Sequence, residues 1–278
     1  MSLLFQNLYM DIYNIDISEW NVSNVTNMSR MFENCYKFNS NISMWDVSKV
    51  TNMEGMFFKC SNFNCNLNNW KVNKVTDMSF MFYNCSKFNS ELSNWDVSKV
   101  TNMEGMFTSC SIFKGKGLEN WNISSVENIV CMFMYCLKFN TNLGNWKFNE
   151  NLHSLRYMFF HCTNFKGKGL ENWDVSNIIY FFGLFQDCKN FNANLGNWNI
   201  SNAIHLDFMF YNCIRFEGKD LSKWKFKKTK IKYLDFMFYN CKNLKEDLSN
   251  WNISIKNKQK NIFYNCKSLS IIPKWSLK

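Results

Sequence analysis

The apolar positions of this chain recur in a fixed order that follows neither the 3.6-residue period of a helix nor the two-residue period of a strand. Around Trp45 they read Trp45, Val47, Val50, Met53, Met56, Phe57, Cys60, Phe63 and Leu67, and the series begins again at Trp70. All eleven tryptophans take part, from Trp20 through Trp45, Trp70, Trp95, Trp121, Trp146, Trp173, Trp198, Trp224 and Trp251 to Trp275, at intervals of 24 to 27 residues. A period of this length predicts a repeat solenoid, in which each coil buries its apolar side only against its neighbours. Steps of two, three and four residues require each coil to change direction several times. The β-branched Val at the second and fifth positions after Trp predicts a short strand in the Trp-x-Val-Ser-x-Val-Thr-x-Met stretch. The three-residue spacing of Met-Phe-x-x-Cys-x-x-Phe predicts one short helical or 3₁₀ turn. With stacked strands about 4.8 Å apart, ten coils make a rod on the order of 50 Å long, lined by ladders of Trp, Val, Met, Phe and Cys.

Departures from the repeat fall at its joints. Most units carry Phe-Asn-x-x-Leu before the Trp. Three carry one more residue there: Phe113 to Leu118, Phe165 to Leu170 and Phe216 to Leu221. Glycine and added length belong to a turn, and Gly115-Lys116-Gly117 lacks the spacing of a phosphate-binding loop. The periodicity leaves no domain boundary, so residues 1–278 read as one solenoid domain, with an N-terminal cap over 1–16, repeats over 17–254, and a truncated repeat with a C-terminal cap over 255–278. Leu3, Leu4, Phe5, Leu8, Tyr9 and Ile12 supply the apolar side of the first cap, without the basic start and unbroken apolar run of a signal peptide. No stretch approaches the 18 apolar residues of a membrane-spanning helix.

Ten of the twelve cysteines, Cys35, Cys60, Cys85, Cys110, Cys136, Cys162, Cys188, Cys213, Cys241 and Cys266, share one repeat position; Cys65 and Cys131 do not. Equivalent side chains in stacked coils point in parallel, which opposes disulfide bonding, and free Cys packs as a small hydrophobe. The expectation is a reduced core ladder in an intracellular, cytoplasmic setting. The net charge of +10 also has an address. Residues 1–216 hold 17 basic and 17 acidic side chains, and residues 217–278 hold the other 15 basic ones against 5 acidic.

Catalytic and metal constellations do not emerge. His153, His161 and His205 sit at different repeat positions, the cysteines lack the paired short spacing of a zinc site, and no paired carboxylates stand out. The expectation is a protein that is not an enzyme and has no catalytic residues, cofactor, metal or small-molecule substrate. Asn-x-Ser/Thr triplets such as Asn21-Val22-Ser23 arise from the repeat, where Asn serves turns by bonding nearby backbone.

The run Trp-Asp-Val-Ser-x-Val-Thr-Asn-Met-x-x-Met-Phe, present at Trp45 and at Trp95, resembles the repeat of BspA-like leucine-rich-repeat proteins, found as bacterial surface proteins and lipoproteins and in some large DNA viruses and protists. The resemblance covers nearly the whole chain. It implies a leucine-rich-repeat-like right-handed coil used in adhesion, host interaction or protein binding, without cofactor, and a cell-surface or secreted location as the alternative to a cytoplasmic one. It carries over no binding residues, because the shared positions are structural.

Two surfaces follow as candidates. The first is the row after Met-Phe, Phe58, Tyr83, Phe160, Tyr211, Tyr239 and Tyr264, where aromatics are interspersed with Glu33, Thr108, Met134 and Gln186; a protein partner held by a monomer is the expected use. The second is Lys225, Lys227, Lys228, Lys230 and Lys232, where lysines interleave with aromatics as in binders of nucleic acid or an anionic membrane.

Overall fold

The computed structural model describes residues 1–7, 16–227, 231–253 and 258–277. Its coils are numbered here from the Trp that opens each, so coil 1 starts at Trp20, coil 6 at Trp146 and coil 10 at Trp251. The predicted solenoid is present, and the columns of Val, Met, Phe, Cys, Leu and Trp form one continuous buried core.

Strand character shrinks to one residue per coil. Parallel bridges join Asn27 to Asn52, Asn52 to Asp77, Asp77 to Asn102 and Asn102 to Asn128, and then Ser154 to Tyr180, Tyr180 to His205 and His205 to Tyr233. The Met-Phe-x-x-Cys stretch is a ribbon of consecutive turns, where one short helical or 3₁₀ turn was expected. In coil 1, the N–H groups of Met31, Glu33 and Cys35 donate to the carbonyls three residues back, while those of Arg30, Phe32 and Asn34 donate to coil 2 at Glu54, Met56 and Phe58. Alternate donors therefore serve the turn and the stack, which a helix cannot do. This requires left-handed backbone at two places per coil, Arg30 (φ 53°) and Asn34 (φ 64°) and their equivalents. The first of these columns contains Gly55, Gly105 and Gly183, and also Phe80, Tyr157, Phe208 and Phe236.

The 3₁₀ helices lie elsewhere. Among the described residues they are Leu118–Asn120, Leu170–Asn172, Leu221–Lys223 and Lys274–Leu277. The first three follow the one-residue insertions, led in by Gly117, Gly169 and Asp220, all left-handed. The insertions are turns, as expected.

Trp and Cys recur for the same physical reason. In each turn a carbonyl accepts a backbone N–H three residues on, and its second lone pair faces the next coil. Ile42 O accepts Trp45 N–H and also the Trp70 indole N–H at 3.1 Å. Phe32 O accepts Cys35 N–H and also the Cys60 thiol at 3.0 Å. The pattern repeats along the stack, for example from Trp146 to Leu118 and from Cys136 to Phe107. A buried carbonyl half-satisfied by its turn is completed by a donor short enough, or flat enough, to fit a packed column. The Asn of Phe-Asn also works across coils: Asn39, Asn64 and Asn89 each accept the backbone N–H of the equivalent position in the next coil, or its replacement Lys114.

Residues 1–7 are built as one more turn ribbon. Leu3, Phe5 and Asn7 donate to Ser29, Met31 and Glu33; Leu3 and Asn7 are left-handed; Phe5 stacks on Phe32 at 5.5 Å and its carbonyl accepts the Cys35 thiol. Leu8, Tyr9 and Ile12 lie outside the described residues.

Equivalent rings are not equally spaced. Stacked pairs on the ribbon surface, Phe58 with Tyr83 and Tyr211 with Tyr239, are 4.6 and 4.8 Å apart. In the core, Phe57 to Phe82 is 5.6 Å and Phe107 to Phe133 is 5.8 Å. On the far side, Trp95 to Trp121 is 6.2 Å and Trp146 to Trp173 is 6.4 Å. This gradient is that of a curved stack with the turn ribbon on its inner side.

Candidate functional site

Five columns reach the inner surface: the bridge residue, the residue two further on, the two left-handed positions, and the position after Met-Phe. In coils 1 to 4 the first two are polar. Asn27, Asn52, Asp77 and Asn102 each accept the backbone N–H two residues on, closing a local turn. In coils 7 to 9 rings fill the bridge column, and Phe182 puts one ring in the second column, which is polar again at Asp207 and Asp235. Tyr180, His205 and Tyr233 occupy the bridge column, with His205 on Tyr233 at 4.3 Å. Beside them Phe182 meets Phe208 at 5.5 Å, and Phe208 stacks on Phe236 at 5.0 Å. Tyr211, Tyr239 and Tyr264 continue the surface with 4.8 Å steps.

The predicted row is thus divided. Phe58 and Tyr83 form one pair, with Lys59 above Phe58 at 5.3 Å. Thr108 interrupts it, buried and donating to Cys131 O at 2.7 Å. Phe160 lies edge-on to Tyr135 and Tyr157. Tyr211, Tyr239 and Tyr264 form the third cluster, with only Tyr264 exposed and the other five residues half-buried. The reading from the row alone did not find Tyr157, Tyr180, Phe182, His205, Phe208, Tyr233 and Phe236. A sequence signal did exist, because the glycines of the first left-handed column mark a place where a large ring is costly.

That column explains how rings are accommodated. A Cβ on Gly105 would lie 2.7 Å from the Phe80 ring, and one on Gly183 would lie 2.7 Å from Tyr157. Each ring lies across the glycine of the next coil. Where no glycine follows, Phe208 stacks on Phe236.

Polar groups edge the aromatic surface. Arg156 is exposed, with its guanidinium 5.8 Å from the Phe182 ring centre. Asp207 is buried, accepts Asp235 N–H at 3.2 Å and lies 3.6 Å from His205 Nδ1; burial pushes its carboxyl above the usual range. Asn212, Asn240 and Asn265 form an amide ladder that starts on Asp187.

The lysine segment offers less than its sequence suggests. Lys225, Lys227 and Lys232 are exposed, but Lys227 bonds to Asn202 at 3.2 Å and the preceding Lys223 pairs with Asp220 at 2.9 Å. Phe226 is tucked edge-on against Trp224 and Trp251, so it offers no platform for a base. Lys228 and Lys230 lie outside the described residues.

Nine ladder cysteines are buried and Cys266 is half-buried; all twelve are free thiols. Burial raises the thiols of Cys85, Cys136 and Cys162 well above their ordinary range, which makes them donors and poor nucleophiles. Among the described residues no group of three or more His, Cys, Asp or Glu is placed to hold a metal, and no helix is long and apolar enough to cross a membrane.

The family described as "Mycoplasma protein of unknown function, DUF285" matches residues 1–116, 67–166 and 153–275. The chain belongs to the DUF285 family. No curated protein matches this DUF285 chain. Among solved structures it is similar to a leucine-rich cell surface protein of Faecalibacterium prausnitzii, at 15% identity and a TM-score of 0.42, over 88% of this chain and 76% of that one. It is also similar to a leucine-rich-repeat protein of Eubacterium ventriosum, at 17% identity and a TM-score of 0.40, over 91% and 78%. The assignment of this DUF285 chain as a leucine-rich-repeat-like solenoid rests on its own coil geometry.

Proposed function

We propose that this chain is a non-enzymatic protein-interaction scaffold of the BspA-like leucine-rich-repeat type, holding a protein partner on the inner surface of coils 6 to 9. The observation that carries the reading is the change of side chain along columns whose backbone does not change. The bridge and neighbouring positions hold Asn52, Glu54 and Gly55 in coil 2, but His205, Asp207 and Phe208 in coil 8. Core packing does not require the rings, since coils 1 to 4 stack without most of them.

Ring orientation favours protein over nucleic acid. Tyr211 and Tyr239 are within 8° of parallel, and Tyr239 and Tyr264 within 15°. Within the stack Tyr239 is covered by Tyr211 and Tyr264, so it offers its edge and hydroxyl to a partner where base stacking needs open faces. Aromatic edges beside Arg156 and the Asn ladder form the mixed surface typical of protein interfaces. Adhesion and host interaction are the biological uses such a scaffold would serve, and the reduced thiol ladder fits a reducing compartment.

The test compares capture of proteins from the source cell by the intact chain and by a variant carrying Phe182→Ser, Phe208→Asn and Phe236→Asn. The same columns already hold Ser29, Ser79 and Asn261, so the fold is retained. Loss of a captured protein in this variant, with retention in Lys225→Gln, Lys227→Gln, Lys232→Gln, is expected. The reverse pattern transfers the function to the anionic-partner reading.

A further inference from the structure

A second surface lies at the other edge of the ribbon, across coils 3 to 6, where an open cleft of about 480 Å³ is floored by Asn84, Ser86, Ser109 and Ser111. Tyr135, Leu137 and His161 wall it on the C-terminal side. We propose that this cleft binds a neutral sugar, a pyranose ring seated against Tyr135 with its hydroxyls on the polar floor.

Three observations carry this. Tyr135 is 38% exposed and belongs to no parallel stack: it meets Phe160 at 85° and His161 at 41°. The equivalent position in the preceding coil is Ser109, so no ring covers Tyr135 on the cleft side. Second, the floor has unused hydrogen-bonding capacity. Among the described residues the Asn84 amide, the Ser109 hydroxyl and the His161 ring nitrogens meet no partner. Column mates of Asn84 behave otherwise, since Asn34, Asn212, Asn240 and Asn265 bond their neighbours in the ladder. Third, no carboxylate, ammonium or guanidinium lines the cleft, which disfavours phosphates and charged peptides.

A pyranose combines an apolar C–H face with a rim of hydroxyls that donate and accept. One uncovered aromatic ring beside amide, hydroxyl and imidazole groups matches both parts, and a shallow site suits a ligand that keeps some hydroxyls in water. The cleft meets the inner surface of coils 6 to 9 only at His161, which lies against Phe160, and Tyr135 and Tyr211, on separate coils, let the two readings be tested separately.

The test is saturation-transfer NMR of the intact chain with cellobiose, maltose, diacetylchitobiose and methyl α-mannoside. Tyr135→Asn removes the ring while keeping a residue this left-handed column already holds, and Tyr211→Thr is the control on the other surface. Transfer to at least one sugar, with affinity lowered about tenfold by Tyr135→Asn and unchanged by Tyr211→Thr, is expected. Absence of transfer to all four sugars overturns the proposal, as does transfer that Tyr135→Asn leaves unchanged.

Discussion

Replacing Trp146 by Phe isolates the device that locks one coil to the next. Trp146 is 1% exposed and its indole N–H donates to Leu118 O at 2.8 Å. That carbonyl also accepts Trp121 N–H at 3.2 Å, so the substitution leaves a buried acceptor half-satisfied. The lost bond costs about 1 kcal/mol. A Phe ring leaves on the order of 40 Å³ unfilled between Trp173 and Phe133, which adds about 1 kcal/mol where a packed stack relaxes little. The total is about 2 kcal/mol, read from chemical denaturation followed by circular dichroism. Trp20 provides an internal control: it is half-buried, and among the described residues its indole meets no acceptor, so Trp20→Phe loses no bond. A Trp146→Phe variant within about 0.5 kcal/mol of the parent, or one no worse than Trp20→Phe, refutes the argument.

Other outcomes follow from the same geometry. Gly105→Ala places a Cβ 2.7 Å from the Phe80 ring in a left-handed backbone and is expected to cost about 1–3 kcal/mol. In a Phe80→Asn background it costs less, and additive effects in the double-mutant cycle contradict the contact. Ellman's reagent should titrate Cys65 and Cys131 in the folded protein, the latter slowly because burial pushes its thiol up to about 11, and reach the nine buried ladder thiols only with denaturant. Rapid reaction of all twelve thiols without denaturant contradicts the ladder. Hydrogen bonds from the serine two residues on hold the carboxyls of Asp16, Asp46, Asp96 and Asp247 below their ordinary value. Folded values below the unfolded one, about 3.9, give stability that is present above that pH and lost as pH falls through the folded values. Thermal midpoints that rise on acidification below about pH 4 contradict this sign.

The coil boundaries, the core columns and the Cys ladder could be read from residue spacing because each buried position has one acceptable type. The turn ribbon could not. Spacing of three is shared by a 3₁₀ helix and by successive turns, and only the left-handed residues separate them. Phe80, Tyr157 and Phe208 at such positions run against local preference, which the rung hydrogen bonds override. The ribbon of residues 1–7 was hidden although Leu4, Phe5, Gln6 and Asn7 match Leu184, Phe185, Gln186 and Asp187, because Leu8 and Asp11 stand in the sequence where the ladder Cys and the second Phe would mark a coil. The candidate surface was half legible for a related reason. A row defined at one repeat position found Tyr211, Tyr239 and Tyr264, but the inner surface joins several columns. His205 and Phe236 become its neighbours only once the coil is folded.

The claim that coils 6 to 9 hold the partner is tested most directly by site-specific photocrosslinking. A benzoylphenylalanine probe is placed at Phe182, at Tyr211 or, on the polar coils, at Glu54, and the intact chain is irradiated in extract of its source cell. One common adduct from positions 182 and 211, absent from position 54, is expected. Adducts from position 54 alone, or none from 182 and 211 while the chain still captures a protein, contradict it.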